Sequence, residues 1–341
     1  MIAENELKAS KSSPYSVSMN SCSPKYPSRA ANLGAADRDD ATTPPPRDGD
    51  VPRGAPLGPD SLTWRYLGDS RNVLLAARAG VLQTMHPAID AGVREHSDFF
   101  ANPLHRIIRS AGPILGVVYD EDPQLTGRRV RDFHRPIKGG LPDGSRYAAL
   151  DPETYYWAHA TFFEAQIATQ ELFGTPLSYA AKARLYAESI TWYERYGLSM
   201  RPVPVDYAAF ERYWAHTLEQ VLAPTSLARA SIRKPKRRLP APYAWMENPA
   251  WGILHPLLLD GSAWLLRGTL PARARELLEI RWSPRDELQL RALAGAVRAA
   301  WTVTPRRLRR LPPARKATAR RDRSPLPGLA SQPGFPHSTT D

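Results

Sequence analysis

The stretch DPETYYWAHATFFEAQIATQELFG, residues 151–174, leaves this chain the fewest choices. Asp151 is suited to cap a helix, Pro152 to occupy its first turn and Gly174 to stop it, and what lies between is strongly apolar. A long helix of this kind needs partners to cover it, and the rest of the chain supplies them. DSRNVLLAARAGVLQTM opens with Asp69 or Ser70 as cap and carries a stripe through Val73, Leu74, Ala77, Val81 and Leu82. Pro87 opens PAIDAGVREHSDFF. NPLHRIIRSAGPILGVVY starts after Asn102, with Pro113 expected to kink or end it. DPQLTGRRVRDFHRPIKG is a fourth helix, expected to close at Gly139 and Gly140. SYAAKARLYAESITWYERYG and DYAAFERYWAHTLEQVL follow, then helices within 250–267, 271–281 and 285–301. Alternating runs of strand type are scarce and no repeat is visible. The expected fold is all-α, a single multi-helix domain over residues 61–321.

The flanks read differently. Residues 1–60, ending in TTPPPRDGDVPRGAPLGPD, and residues 322–341 have few large apolar side chains and no periodicity, and are expected to be disordered tails. With 42% hydrophobic residues in 341, the remainder can bury a sizeable core. The net charge of +12 is concentrated in two places. Residues 225–240 carry six Lys/Arg and no acid, and residues 301–341 carry nine Lys/Arg and two acids, so the rest of the chain sums to 12 − 6 − 7 = −1. Such runs are solvated faces or adhesive patches for anionic surfaces, which makes 225–240 and 306–323 candidates for peripheral contact with anionic membrane. No recognised nucleic-acid motif accompanies them, so no specific nucleic-acid partner is expected. The single cysteine, Cys22, lies in the N-terminal tail and rules out an internal disulfide or a thiolate metal cluster. No apolar run resembles a signal peptide or a membrane span, and the expected location is cytoplasmic, with membrane association through the basic segments.

Three histidines (His86, His96, His105) and an arginine pair (Arg106, Arg109) crowd the stretch 82–110. A di-iron carboxylate bundle would use Glu-x-x-His, and no Glu here has a His three residues later. His96-Ser97-Asp98 resembles part of an iron facial triad, but on a helix i and i+2 point about 200° apart. No phosphate-binding glycine loop or nucleophile elbow is present. A flat cofactor held by a single imidazole remains. His134 suits it, with apolar Val130 and Ile137 at i−4 and i+3 and with Arg131, Arg135 and Lys138 around it, although a lone His on an Arg-rich helix is also what an ordinary surface looks like.

Taken together, YLGDSRNVLLAARAGVLQTMHPAIDAGVREHSDFFANPLHRIIRSAGPILGVVY, RRVRDFHRPIKG, YAALDPETYYWAHATFFEA and PPARKATAR resemble one family over about residues 62–321. It is the oxygenase MpaB family, whose catalytic domain is shared by the bacterial rubber oxygenases (latex clearing proteins). The resemblance implies a globin-like helical core holding haem b. It also implies an oxygenase that uses O2 on a small apolar substrate of isoprenoid type. It assigns His134, in RVRDFH, as the proximal iron ligand; Arg131 and Lys138, from their places around His134, are the candidate cations beside the cofactor. It matches RIIRS to the Arg-x-x-Lys-Thr element of rubber oxygenases, so that Arg106, Arg109 and Ser110 line the distal side. Here the chain departs from the family pattern: Arg109 stands where the lysine would be. An arginine stays protonated and has no lone pair, so it can donate hydrogen bonds or pair with a propionate but cannot ligate iron. His86, His96, His105 and His159 are read as packing, capping or surface residues. The alternative is a non-catalytic helical module, with or without haem, on anionic membrane surfaces.

Overall fold

Capped helices joined by short turns make up nearly all of what the computed structural model describes, residues 52–97, 103–233, 246 and 249–323. Among the described residues there are thirteen α-helices: α1 (Leu62–Leu67), α2 (Ala76–Thr84), α3 (Pro87–His96), α4 (Pro103–Tyr119), α5 (Pro123–Phe133), α6 (Pro152–Phe173), α7 (Tyr179–Glu194), α8 (Tyr207–His216), α9 (Ser226–Ser231), α10 (Pro249–Thr269), α11 (Ala272–Leu277), α12 (Pro284–Val303) and α13 (Pro312–Arg323). A two-stranded antiparallel ribbon, β1 (Lys138–Gly140) and β2 (Arg146–Ala148), pairs Gly139 with Tyr147. The described residues belong to one compact unit.

Side chains start these helices as the sequence predicts. Asp151 accepts from the Thr154 amide, Ser178 from Ala181, Asp206 from Ala209, and Ser283 forms a reciprocal capping box with Asp286. Each cap contributes about 1 kcal/mol. α6 is the axis of the fold. Tyr156, Trp157, Thr161, Phe163, Thr169 and Phe173 are all buried, which takes in every side of the helix. Around it pack α2, α7 and α12, with α8 against α7 and α4 against α5 and α13. Trp157 meets the polar demand of its own burial by donating Nε1–H to the Leu82 carbonyl at 3.0 Å.

Four expectations change. Residues 70–75 form a 3₁₀ turn before α2, and Asp69 is the cap. Three residues per turn shift the stripe, so Leu75 is buried while Val73 and Leu74 are exposed; Ala77 is exposed as well. Of the two outcomes expected at Pro113, a kink or an end, the end does not occur: α4 runs on to Tyr119. The fourth helix stops at Phe133 rather than Gly140, because Pro136 cannot donate to a continuing helix and disfavours helical backbone at Arg135. The glycines that were read as its stop lie in β1. A Cβ on Gly139 would sit 2.8 Å from the Tyr147 ring, so glycine lets the ribbon close while Tyr147 donates to Glu95 of α3 at 2.6 Å. The first half of the 225–240 run forms α9, capped by Thr225.

The boundary at residue 60 also moves. The Ala55 amide donates to Ala187 O at 2.9 Å, Thr191 Oγ1 to Ala55 O at 2.7 Å and Arg195 Nη2 to Leu57 O at 3.0 Å, so residues 52–60 lie along α7. At the other end α13 continues through Arg323. The remainder of both expected tails, residues 1–51 and 324–341, falls outside the described residues, as do Cys22 and basic residues 234–240. A chain beginning at Ser61 should be about 2–4 kcal/mol less stable than one beginning at Pro52, because three hydrogen bonds of about 1 kcal/mol each are lost. Urea denaturation of the two checks this; equal midpoints would show that the segment adds nothing.

Candidate functional site

α4 and α5 form a helical hairpin. Asp122 accepts from the Leu125 amide at 2.8 Å to start α5, and Thr126 Oγ1 reaches back to Asp120 at 2.8 Å across the turn. Gly116 stands against Thr126 near that turn. Arg109 lies ten residues before Tyr119 and His134 eleven after Pro123. At about 1.5 Å of rise per residue, both stand roughly 15 Å from the turn. By count of residues, the end of α5 and the Arg109–Ser110 segment of α4 stand about the same number of helical turns from the bend.

His134 is the residue that closes α5. Its amide bonds to Arg131 O at 2.9 Å, and its ring is half-buried. Nδ1 lies 2.8 Å from the Val130 carbonyl, which can only accept, so the proton sits on Nδ1 and the lone pair of the neutral ring on Nε2. A backbone carbonyl on the far nitrogen is the arrangement that orients an imidazole for ligation and raises its basicity. The ring meets Tyr155 of α6 edge-on, with centroids 5.5 Å apart, and Tyr155 continues into Tyr193 and Tyr196. Ile137, expected one helical turn onward, lies beyond the helix and packs toward Gly92 of α3.

The cations around His134 are not equivalent. Arg131 donates to Asp132 at 2.9 Å and approaches Gly197 O at 3.4 Å, while Arg135 donates to the same Asp132 oxygen at 2.8 Å. Those two hydrogen bonds hold the Asp132 carboxyl below its ordinary range. Lys138 is exposed on β1. On α4, Arg109 is exposed and Ser110 half-buried, and the Arg109 side chain makes no hydrogen bond or ion pair among the described residues. Pro113 has no amide hydrogen, so the Arg109 carbonyl also lacks its usual helical donor. Arg106 and His105 lie on α4, and their side chains fall outside the described residues.

Sequence reasoning missed the residue that binds this region together. Arg195, just past α7, donates to Val117 O of α4 at 2.7 Å as well as to Leu57 O. Its backbone lies so close to α5 that a Cβ on Gly127 would collide with the Arg195 carbonyl oxygen. The readable signal was Gly197, whose φ of +64° marks the chain reversal that sets Arg195 there.

The other histidines separate from the site. His96 is exposed at the end of α3. His86 caps α3, and burial lowers its pKa to about 4 against the opposing pull of Asp151. His159 is buried among Tyr156, Trp192, Tyr193 and Tyr196, and its Nε2 meets Ser189 O at 3.1 Å. Burial lowers its pKa to about 3. Its Nδ1 has no hydrogen-bond partner. Among the described residues no group of three or more His, Cys, Asp or Glu side chains could hold a metal, and no helix is long and apolar enough to cross a membrane. A cleft of about 320 Å³ lined by Ala55, Gly58, Asp60, Ser61, Arg184 and Glu188 involves none of the residues around His134.

No curated protein and no solved structure matches the chain. A family model described as ER-bound oxygenase mpaB/B′/Rubber oxygenase, catalytic domain, matches residues 64–299, from α1 nearly to the end of α12. α13, which carries PPARKATAR, lies beyond the matched residues. The matched span takes in the α4–α5 hairpin, His134 and the whole of α6, and the chain belongs to the family of the mpaB and rubber-oxygenase catalytic domain.

Proposed function

We propose that the protein is a haem b-dependent oxygenase that uses O2 on an apolar, alkene-bearing molecule of isoprenoid type. The family supports an oxygenase; the observation that carries the haem reading is His134 with its Nδ1–H bound to the Val130 carbonyl, about as many helical turns from the α4–α5 bend as Arg109 and Ser110. The residues present fit the group: one imidazole oriented by a backbone carbonyl, an aromatic wall at Tyr155, and cations within the same turn of chain. His134 would hold the iron, and Arg131 and Lys138 would face the propionates. Haem supplies the one-electron and O2 chemistry when bound.

The chain's own residues set the conditions for that chemistry. The Val130 carbonyl fixes the tautomer of His134 and makes Nε2 the better donor. A guanidinium offers donors and no lone pair, so Arg109 is a hydrogen-bond donor and never a competing ligand. Arg106 and Ser110 add a second cation and a hydroxyl on the same helix. Fixed donors of this kind stabilise developing negative charge without reorganising. The buried rings of Tyr155, Tyr193 and Tyr196 keep water from the α6 side.

Protein produced with adequate haem should show a Soret band. His134→Ala should lose most of the bound haem, and His96→Ala, altering an exposed imidazole, should not. In the same series Arg109→Lys should move the ferric spectrum toward a six-coordinate low-spin form as pH rises and the amine deprotonates. Full haem retention with an unchanged spectrum in His134→Ala would remove His134 as the residue that holds the iron.

A further inference from the structure

Between Glu287 and Asp322 the chain has ten Lys/Arg and no acid. The fold neutralises three of them: Arg291 pairs with Glu287 at 2.9 Å, Arg320 with Glu121 at 3.4 Å and Arg321 with Asp60 at 3.1 Å. Others are held by carbonyl groups, which orient a guanidinium without cancelling its charge. Arg309 donates to Thr304 O at 2.8 Å and Thr302 O at 3.0 Å, and Arg315 to Arg307 O at 3.0 Å. Arg306, Arg307 and Lys316 are exposed. All five lie on the turn that joins α12 to α13 or on the first turns of α13.

That turn also presents two aliphatic side chains to solvent, Val303 at 81% exposure and Leu308 at 55%. It is not a loose loop. Ser70 donates through Oγ to Leu308 O at 2.7 Å and through its amide to Arg309 O at 3.1 Å. Trp301 is stacked under Arg71 at 4.1 Å and Arg309 at 5.8 Å. The aliphatic tips and the cations are therefore displayed together on a fixed support, and binding would not have to order them first.

We propose that the turn between α12 and α13 is a docking surface for anionic lipid. Val303 and Leu308 enter the boundary between headgroups and acyl chains, and Arg306, Arg307, Arg309, Arg315 and Lys316 meet lipid phosphates. The aliphatic pair selects this partner over nucleic acid, since a duplex offers phosphates but no apolar phase to receive Val303 and Leu308. The surface lies outside the hairpin that carries His134, and the proposal does not rest on the haem reading.

The test is co-sedimentation of the full chain with vesicles of equimolar phosphatidylserine and phosphatidylcholine, and with phosphatidylcholine alone. Binding is expected to the first, weakened by salt, and not to the second. Each basic residue near an anionic leaflet is worth about fivefold in partitioning, so Arg306→Ala with Arg307→Ala should weaken binding about 25-fold. Val303→Asp with Leu308→Asp should weaken it at least tenfold, while circular dichroism stays that of the wild type, because both side chains are exposed. The proposal is overturned if the aspartate pair binds vesicles like the wild type. It is overturned equally if the alanine pair has no effect, which would assign the binding to other cations. Tight binding to duplex DNA that the aspartate pair leaves unchanged, with none to vesicles, would replace lipid by nucleic acid.

Discussion

Truncating Glu164 to alanine should cost about 3–5 kcal/mol of folding stability, the usual penalty for leaving one member of a buried ion pair without its partner. Arg78 on α2 is 5% exposed at its side chain and faces Glu164 of α6, which is 18% exposed. The pairing is a two-pronged fork: Nη1 meets one carboxylate oxygen, and Nη2 donates to the other at 2.7 Å. Arg78 Nε is used as well, donating to Thr269 O at the end of α10 at 2.7 Å. One guanidinium thus ties α2, α6 and α10. Neutralising its partner leaves a charge that water cannot reach. Glu164→Gln keeps an acceptor and should recover part of the loss. Arg78→Met combined with Glu164→Leu removes both charges and should cost less than Glu164→Ala alone. Urea denaturation of the four proteins decides this. If Glu164→Ala falls within about 1 kcal/mol of the wild type, the pair is solvated and the argument from burial fails.

Nothing in the local sequence announced that pair. Arg78 lies in DSRNVLLAARAGVLQTM, where an arginine reads as the polar side of a surface helix, and its partner is 86 residues away. What could be read was local. Asp151, Pro152 and Gly174 bound α6 because capping and backbone restriction act over a few residues, and the family-like strings could be recognised because they are contiguous. The stripe through Val73 and Leu74 failed because a 3₁₀ turn changes the period, and α4 passes Pro113 because packing overrides one missing hydrogen bond. At the candidate site, His134 and the RIIRS segment were legible as residues. The Val130 carbonyl that orients the ring and the Tyr155 wall were not, the latter because it comes from α6. Arg131 is expected to face a cofactor; what the fold adds is its pairing with Asp132, whose role is invisible until α5 is wound.

Acid should unfold this protein earlier than its carboxylates alone require, and His159 is the main reason. In the folded state its imidazole is enclosed by rings of α6 and α7, its Nε2 proton is given to Ser189 O, and burial lowers its pKa to about 3. The unfolded chain titrates near the ordinary histidine value of about 6.5. Above that value the ring is neutral in both states and its contribution to stability is fully present. Below it the unfolded state takes up a proton that the native state refuses, so stability falls as pH falls, by about 1.4 kcal/mol per pH unit for this one group, until the folded pKa is reached. His86, lowered to about 4 by burial, adds to the slope over the upper part of the same window. Between pH 7.5 and pH 5 the two together should cost about 3–4 kcal/mol, with at least half from His159. The measurement is urea unfolding at a series of pH values across that interval, above the range where most carboxylates protonate. His159→Gln keeps a donor for the Ser189 carbonyl and cannot titrate. It should be somewhat less stable than the wild type at pH 7.5 through imperfect packing, yet lose stability toward pH 5 with a slope lower by about 1.4 kcal/mol per pH unit. An unchanged slope in His159→Gln would mean that the imidazole accepts its proton without unfolding, and that the aromatic enclosure opens to water on the native side.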